Sequence, residues 1–368
     1  MAGRILSIAH SESSLGWGGQ EIRILTEAAG MLRRGHRLTL LCPPQSAIYQ
    51  EALRRGLPVE ALSIARKNLV GLLAMRTWLA NNKPDIINTH SSTDTWLAAL
   101  GSVGLRAKPV LVRTRHISAA LSNNASTRWL YQKATRKIVT TGEALRLQLI
   151  EKNGLHEENV VSVPTGIDLE HFMPGDRARA KNILGIDENN FVIGIVATLR
   201  SWKGHRYLLQ AFANLSCPCC KLLIVGDGPQ RTAIEEQIQS LKIEAAVQHP
   251  GNQEDVLPWL HAMDVFVLPS YANEGVPQAL MQAMACGLPC VTTPVGSILE
   301  IAKHEQTALI IPPENTHALQ LALQRLIKDE ALRMCIGAAA RDFARQRFGV
   351  EKMLDQMEKV FENVLQKT

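Results

Sequence analysis

The chain has 368 residues, 46% of them hydrophobic and 20% charged, which excludes a disordered polypeptide and is comfortable for two α/β domains. No apolar run approaches the roughly 18 residues that span a bilayer. The opening residues 1–8 carry one basic side chain and a short apolar stretch, so they read as a first strand rather than a signal peptide and predict a cytoplasmic protein.

The net charge of +6 is uneven. Residues 1–170 hold 21 Lys+Arg against 13 Asp+Glu, and the remainder holds 19 against 21. The basic first half points to an anionic partner, such as a phosphorylated or membrane-bound acceptor, or to an ordinary solvated surface.

Residues 5–9 read as a buried strand, followed by the Gly-rich loop Gly16-Trp17-Gly18-Gly19. A helix is predicted over 21–34, because Ile22, Leu25, Ala28, Ala29 and Leu32 recur at helical spacing. Gly35 ends it, and 38–41 is the next strand, which makes a βαβ signature. Strands follow at 84–90, 110–114, 138–140 and 160–163. A second series begins at 191–197 and continues at 221–226, near Val247, at 264–269 and at 290–293. The polar segment 174–190, with Gly175 and Gly185, is the predicted connector. The predicted domains are 1–170 and 171–349, with a C-terminal helix at about 350–368 returning to the first. Ligands of open α/β sheets bind at the carboxyl ends of strands, so a cleft lined by strand ends is the expected active site.

Seven cysteines show no framework spacing. Cys42, Cys286, Cys290 and Cys335 sit in apolar stretches and read as reduced core residues. Cys217, Cys219 and Cys220 lack the further ligands that a zinc site needs.

The segment Glu274-Gly275-Val276-Pro277 runs from a strand end into a helix opened by Pro277. A proline suits the first helical turn, where no N–H is missed. The free amides there and the positive end of the dipole suit phosphate oxygens. The Glu274 carboxylate suits sugar hydroxyls. His90 and His116 each end a strand, and Arg113 and Arg115 could pair with an anionic acceptor.

This segment resembles the Glu-x7-Glu signature of the retaining glycosyltransferase family 4, with its neighbouring Glu-Gly-x-Pro and Ala-Met-Ala-x-Gly-x-Pro pieces. The resemblance implies the GT-B architecture, two Rossmann-like α/β domains facing across a cleft. It gives Glu274 the donor-sugar contact and puts the ribose contact on Gln282, where the family has Glu. The loop with Gly18 and Gly19 is similar to the family's glycine loop near the donor phosphate. Val163-Pro164-Thr165-Gly166-Ile167-Asp168 resembles its interdomain stretch. The segment from Val196 to Gly204 resembles its cationic loop, implying a diphosphate clamp of Lys203 and Arg200. Arg200 lies two residues beyond the family position, which is Thr198 here, and strand alternation could put the two on one side. The Gly226-Asp227-Gly228 turn and the Asn252-Gln253 loop are similar to the elements around the nucleotide. The family has a histidine at the location of His116, near the reacting carbon, so His116 is preferred over His90.

The expected activity is therefore transfer of a hexose-type sugar, with retention, from a UDP- or GDP-sugar to a glycan or lipid-linked acceptor. Bacterial envelope polysaccharide or lipopolysaccharide synthesis is the expected setting, with peripheral contact at the inner membrane. Lys203 and Arg200 would stabilise the leaving diphosphate, so no metal or other cofactor is expected. The alternatives are a nucleotide-sugar epimerase of the same fold and a non-catalytic nucleotide-sugar-binding protein. The Gly16–Gly19 loop lacks the spacing of a dinucleotide dehydrogenase, and no nucleic-acid motif is present.

Overall fold

The computed structural model describes residues 4–116, 121–272 and 274–366. Two compact units divide the chain. One comprises Met1–Gly166 with Val350–Thr368, and the other Ile167–Gly349.

The first unit is built on a parallel sheet. Its described strands are β1 (Ser7–Ser11), β2 (Arg37–Cys42), β3 (Val59–Ala61), β4 (Ile86–Thr89), β5 (Val110–Arg115), β6 (Lys137–Thr140) and β7 (Val160–Ser162). Their order is β3-β2-β1-β4-β5-β6-β7. Successive residues of the central strands face opposite sides. Ile8, Ile86, Val112 and Val139 join one hydrophobic cluster, while Ala9, Ile87, Leu111 and Ile138 join another. Burial on both faces explains why these strands read as continuous apolar runs.

The helix Val350–Gln366 closes the first of these clusters. It buries Met353, Leu354, Met357, Val360, Phe361 and Val364, a stripe that contributes on the order of 10 kcal/mol before chain entropy. Gly30 lets it approach the helix Gly19–Arg33, since a Cβ there would lie 2.3 Å from Leu354 Cδ1. Arg34 anchors its first turns through Glu351, Asp355 and Glu358 at 2.7 to 2.8 Å.

The second unit has strands β8 (Phe191–Val196), β9 (Cys220–Val225), β10 (Val247–Gly251), β11 (Val265–Leu268), β12 (Cys290–Thr292) and β13 (Leu309–Ile310). They pair in parallel in the order β10-β9-β8-β11-β12-β13. Both sheets thus reverse direction of winding beside their first strand, at β1/β4 and at β8/β11. These are the switch points where α/β sheets bind ligands.

Some expectations change. The polar segment 174–190 contains the helix Arg177–Ile183, capped by Asp176. Lys181 is buried there on Asp264 at 3.0 Å, so the segment belongs to the second unit rather than to a connector. Cys42, Cys286 and Cys290 are buried, but Cys335 is exposed on the helix Glu330–Arg347. Cys217 and Cys220 form a disulfide, with Cys219 exposed beside it.

Candidate active site

In the second unit the polar side chains of interest gather beyond the carboxyl ends of β8 and β11. β8 ends at Val196 and the chain enters a short turn at Ser201–Lys203. β11 ends at Leu268, and Ser270 and Glu274 follow. Lys203 Nζ lies 2.6 Å from Glu274 Oε1, and Ser270 donates to the same oxygen at 2.6 Å. Glu274 is 4% exposed and Ser270 fully buried, so the carboxylate is oriented by two donors in a low-dielectric setting.

Two glycines allow this assembly. Gly204 has φ +77°, and a Cβ there would sit 2.1 Å from the Pro269 carbonyl oxygen. Gly296 has φ +60°, and a Cβ there would sit 2.0 Å from the Glu274 carbonyl oxygen. Only glycine fits a left-handed backbone pressed against another main chain. Tyr271 N–H donates to Trp202 C=O at 2.8 Å, which ties the two loops together.

Gly275, Val276 and Pro277 are buried. Pro277 is the N-cap of the helix Gln278–Ala285, rather than its first helical residue, and Gln282 lies half-buried on that helix. Arg200 is exposed, with its guanidinium 5.4 Å from the Trp202 ring centre. Thr198 and Arg200 lie past the end of β8 and Arg200 N–H bonds Thr198 C=O at 2.7 Å, so strand alternation does not relate their side chains. Gly226 and Gly228 shape the turn after β9, where Asp227 accepts from Gly228 N–H and pairs with Arg231. The Gly228 amide, with Arg231 adding, holds the Asp227 carboxyl below its usual range. Asn252 is exposed, and Gln253 donates to Pro250 C=O at 3.2 Å.

The first unit carries its own polar cluster at the β1/β4/β5 ends. His10 lies on β1, His90 follows β4 and His116 follows β5. His10 Nδ1 and His90 Nε2 are 2.8 Å apart, and His90 Nδ1 and His116 Nε2 are 3.0 Å apart. Burial holds all three imidazoles below their usual range, His10 at about 3, with neighbouring Arg23, Arg113 and histidines adding to the effect. Behind His10, Glu27 and Arg23 face each other on the helix Gly19–Arg33, both fully buried.

His90 and His116 border a cavity of about 640 Å³, together with Gln20, Trp96, Arg113 and Arg115. The two arginines are not available as an exposed clamp. Arg113 is 5% exposed and donates to Ser91 C=O at 2.5 Å and to Thr95 Oγ1. Arg115 is 7% exposed and donates to Tyr131 Oη at 2.8 Å. Gly18 is the N-cap of the helix that follows, and Gly19 is its first residue. Beside them, Gln20 donates to Glu12. Burial, followed by the nearby Asp94, pushes the Glu12 carboxyl up to about 8.

The fold adds His10, Glu12, Glu27 and Asp94 to the candidate residues named from the sequence. Asp94 accepts from His90 N–H, Ser91 N–H, Ser91 Oγ and Ser11 Oγ at 2.7 to 3.0 Å, and so fixes the His90 loop. A signal existed for Arg23 and Glu27. They stand four apart on the apolar side of an otherwise amphipathic helix, where charge is costly unless paired.

Two family models match the chain: Glycosyltransferase Family 4 over residues 17–171 and Glycosyl transferases group 1 over residues 176–343. The N-acetyl-alpha-D-glucosaminyl L-malate synthase of Bacillus anthracis is 32% identical over 209 residues, 56% of this chain and 55% of that protein. The chain thus spans about half the length of that relative. The UDP-Gal:alpha-D-GlcNAc-diphosphoundecaprenol alpha-1,3-galactosyltransferase of Escherichia coli is 27% identical over 312 residues, 80% of this chain and 79% of that protein. Among solved structures, Anabaena Alr3699/HepE in complex with UDP and glucose superposes with a TM-score of 0.87 at 22% identity, covering 97% of this chain and 99% of that one. That likeness shows a shared fold.

Proposed function

Because this chain belongs to glycosyltransferase family 4, group 1, with the GT-B fold, we propose that it transfers a hexose-type sugar, with retention, from a UDP-sugar to a hydroxyl of a glycan or lipid-linked acceptor. The observation that carries the reading is the Lys203–Glu274–Ser270 assembly at the β8/β11 switch point. Lys203, joined by Arg200, faces the charge that builds on the leaving diphosphate, and the Gly275 and Val276 amides before the Gln278–Ala285 helix add to it. Glu274 accepts hydrogen bonds from the sugar hydroxyls. Gln282 contacts the ribose through its amide, which binds without charge. Gly226, Gly228, Asn252 and Gln253 surround the nucleotide, and the Gly18-Gly19 loop serves the phosphate and acceptor. His116 takes the position beside the reacting carbon, backed by His90. Arg113 and Arg115 act on the acceptor as walls of the cavity rather than as a charged clamp.

The choice of UDP over GDP rests on the Escherichia coli relative, named for UDP-Gal, and on the Anabaena protein, solved with UDP and glucose. The acceptor class rests on the diphosphoundecaprenol in the name of the first of these. That acceptor supports a role in bacterial envelope polysaccharide synthesis, carried out on the cytoplasmic side. Among the described residues no helix is long and apolar enough to cross a membrane. The basic residues of the first unit would instead hold the chain peripherally on anionic lipid.

A panel of UDP- and GDP-sugars read by thermal shift tests the donor. Stabilisation by one UDP-sugar, growing with its concentration, is expected. A panel in which none stabilises the protein refutes the reading. Vesicles containing anionic lipid should bind the protein at low salt and release it at high salt. Absence of binding at low salt removes the membrane contact.

A further inference from the structure

The three histidines form a file that leads inward from the cavity. His116 Nε2 meets His90 Nδ1 at 3.0 Å, and His90 Nε2 meets His10 Nδ1 at 2.8 Å. His10 Nε2 then faces Glu27 Oε1 at 3.7 Å, with both side chains fully buried. A neutral imidazole has one N–H and one lone pair. Two successive ring-to-ring hydrogen bonds therefore force all three rings into the same tautomer.

The inner end chooses which one. An ionised Glu27 can only accept, so it requires Nε2–H on His10, then on His90, then on His116. His116 Nδ1 is left with a lone pair. A protonated Glu27 can donate, and every bond in the file reverses, putting a proton on His116 Nδ1. The 3.7 Å gap is longer than a hydrogen bond, and a movement of less than about 1 Å closes it. Among the described residues, His10 Nε2 and Glu27 Oε2 have no hydrogen-bond partner. Such groups are costly to bury, about 1–3 kcal/mol each.

The surroundings favour a proton at the inner end. Glu27 faces His10 from β1, Arg23 at 3.8 Å from its own helix, and Asn88 Nδ2 at 3.4 Å from β4. Arg23 is itself turned toward Val163 C=O and Thr165. Arg113 from β5 bears on His90 and His116. Burial disfavours an imidazolium anywhere in the file and pushes the Glu27 carboxyl up to about 7, with Arg23 and Asn88 opposing.

We infer that this file is a proton relay that takes the acceptor hydroxyl's proton at His116 and stores it on Glu27. The acceptor O–H bond breaks as its oxygen bonds the sugar C1. The C1–O bond to the diphosphate breaks, and its electron pair leaves with the nucleotide. The proton forms Nδ1–H on His116. The Nε2 proton of His116 passes to His90 Nδ1, that of His90 to His10 Nδ1, and that of His10 to Glu27. All three rings end neutral in the opposite tautomer, and one carboxylate has become a carboxylic acid. Reversal of the file returns the proton to solvent. Only the source of the proton rests on the glycosyl-transfer reading. His90, His10 and Glu27 are positioning and relay residues rather than catalytic ones.

The test uses the full chain labelled with 15N-histidine, without substrate. Ring-nitrogen NMR distinguishes protonated from bare nitrogens. At about pH 9 all three rings should be Nε2–H, and at about pH 5.5 all should be Nδ1–H, changing together in one step as Glu27 takes its proton. Glu27→Gln should abolish that step. In the same variant kcat should fall by about tenfold or more, with donor KM and donor thermal shift unchanged. Rings that hold mixed tautomers, or a step that survives in Glu27→Gln, overturn the relay. If Glu27→Gln does not fold, the wild-type titration still decides: no concerted tautomer change refutes it. If the wild type transfers no sugar but the concerted step is present, the glycosyl reading fails and the relay stands.

Discussion

Replacing Lys203 by Met should unfold part of the stability of the second unit as well as stop transfer. The ammonium lies 2.6 Å from Glu274 Oε1, with side-chain exposures of 19% and 5%. At an effective dielectric constant of about 20 the attraction is roughly 6 kcal/mol, set against the desolvation of both groups. Removing one partner of a buried pair costs about 3–5 kcal/mol, because a buried charge is left alone. The partial exposure of Lys203 puts the expected loss near the lower end, at about 3 kcal/mol. For a unit of this size that is a fall in Tm of about 6–12 °C. The double variant Lys203→Met with Glu274→Gln removes both charges and keeps an acceptor for Ser270. It should return to within about 1 kcal/mol of the wild type and remain inactive by well over tenfold. Urea unfolding of the four proteins of this cycle, with transfer assays on the folded ones, separates stability from chemistry. A Lys203→Met protein as stable as the wild type refutes the structural role of the pair. A folded double variant with near-normal transfer refutes the catalytic one.

His205, 3% exposed and without a hydrogen-bond partner among the described residues, is held neutral by burial, with Lys203 and His249 adding, at about 3. Its folded-state value lies below the unfolded one, so its contribution is complete above about pH 6.5 and is lost as pH falls towards 3. Between pH 8 and pH 5 the loss is about 2 kcal/mol, and His205→Leu should lessen the pH dependence of urea-derived stability by about that share, leaving the part due to the other buried histidines; an unchanged slope would contradict it. Gly204→Ala, which places a Cβ 2.1 Å from Pro269 O at φ +77°, should cost more than about 2 kcal/mol, and an unchanged urea midpoint would sink the packing argument. A thiol reagent should label Cys219 and Cys335 in the native protein and all five free cysteines after unfolding without reductant. Labelling of Cys217 or Cys220 under those conditions would count against the disulfide.

The central strands were readable because they are apolar on both faces. The edge strands Val59–Ala61 and Leu309–Ile310 were not. They are two or three residues long, and a short run of that kind carries no period. The helix Arg177–Ile183 escaped for a different reason. Its seven residues include three basic ones and bury little beyond Ala180 and the stem of Lys181, which reaches Asp264, Glu188 O and Asn190 O. Local composition said linker, and a tertiary ion pair decided otherwise.

The histidine file shows where a linear reading stops. His10, His90 and His116 are separated by 80 and 26 residues in the chain, and each looks like an isolated strand-end histidine. They meet because the sheet runs β1-β4-β5, with His10 paired to Asn88 and Thr89 to Arg113. Strand order is the missing quantity. Once it is known, both polar clusters are found among the polar residues at or after the carboxyl ends of strands at and beside a switch point. In the first sheet these are His10, His90 and His116, and in the second they are Lys203, Ser270 and Glu274. The Glu274 motif was visible because its loop is continuous in sequence. Glu27, the acid that ends the file, stands out in sequence only as a charge on the apolar side of its helix; its tie to the histidines is invisible there, because it reaches them from a helix and not from a strand end.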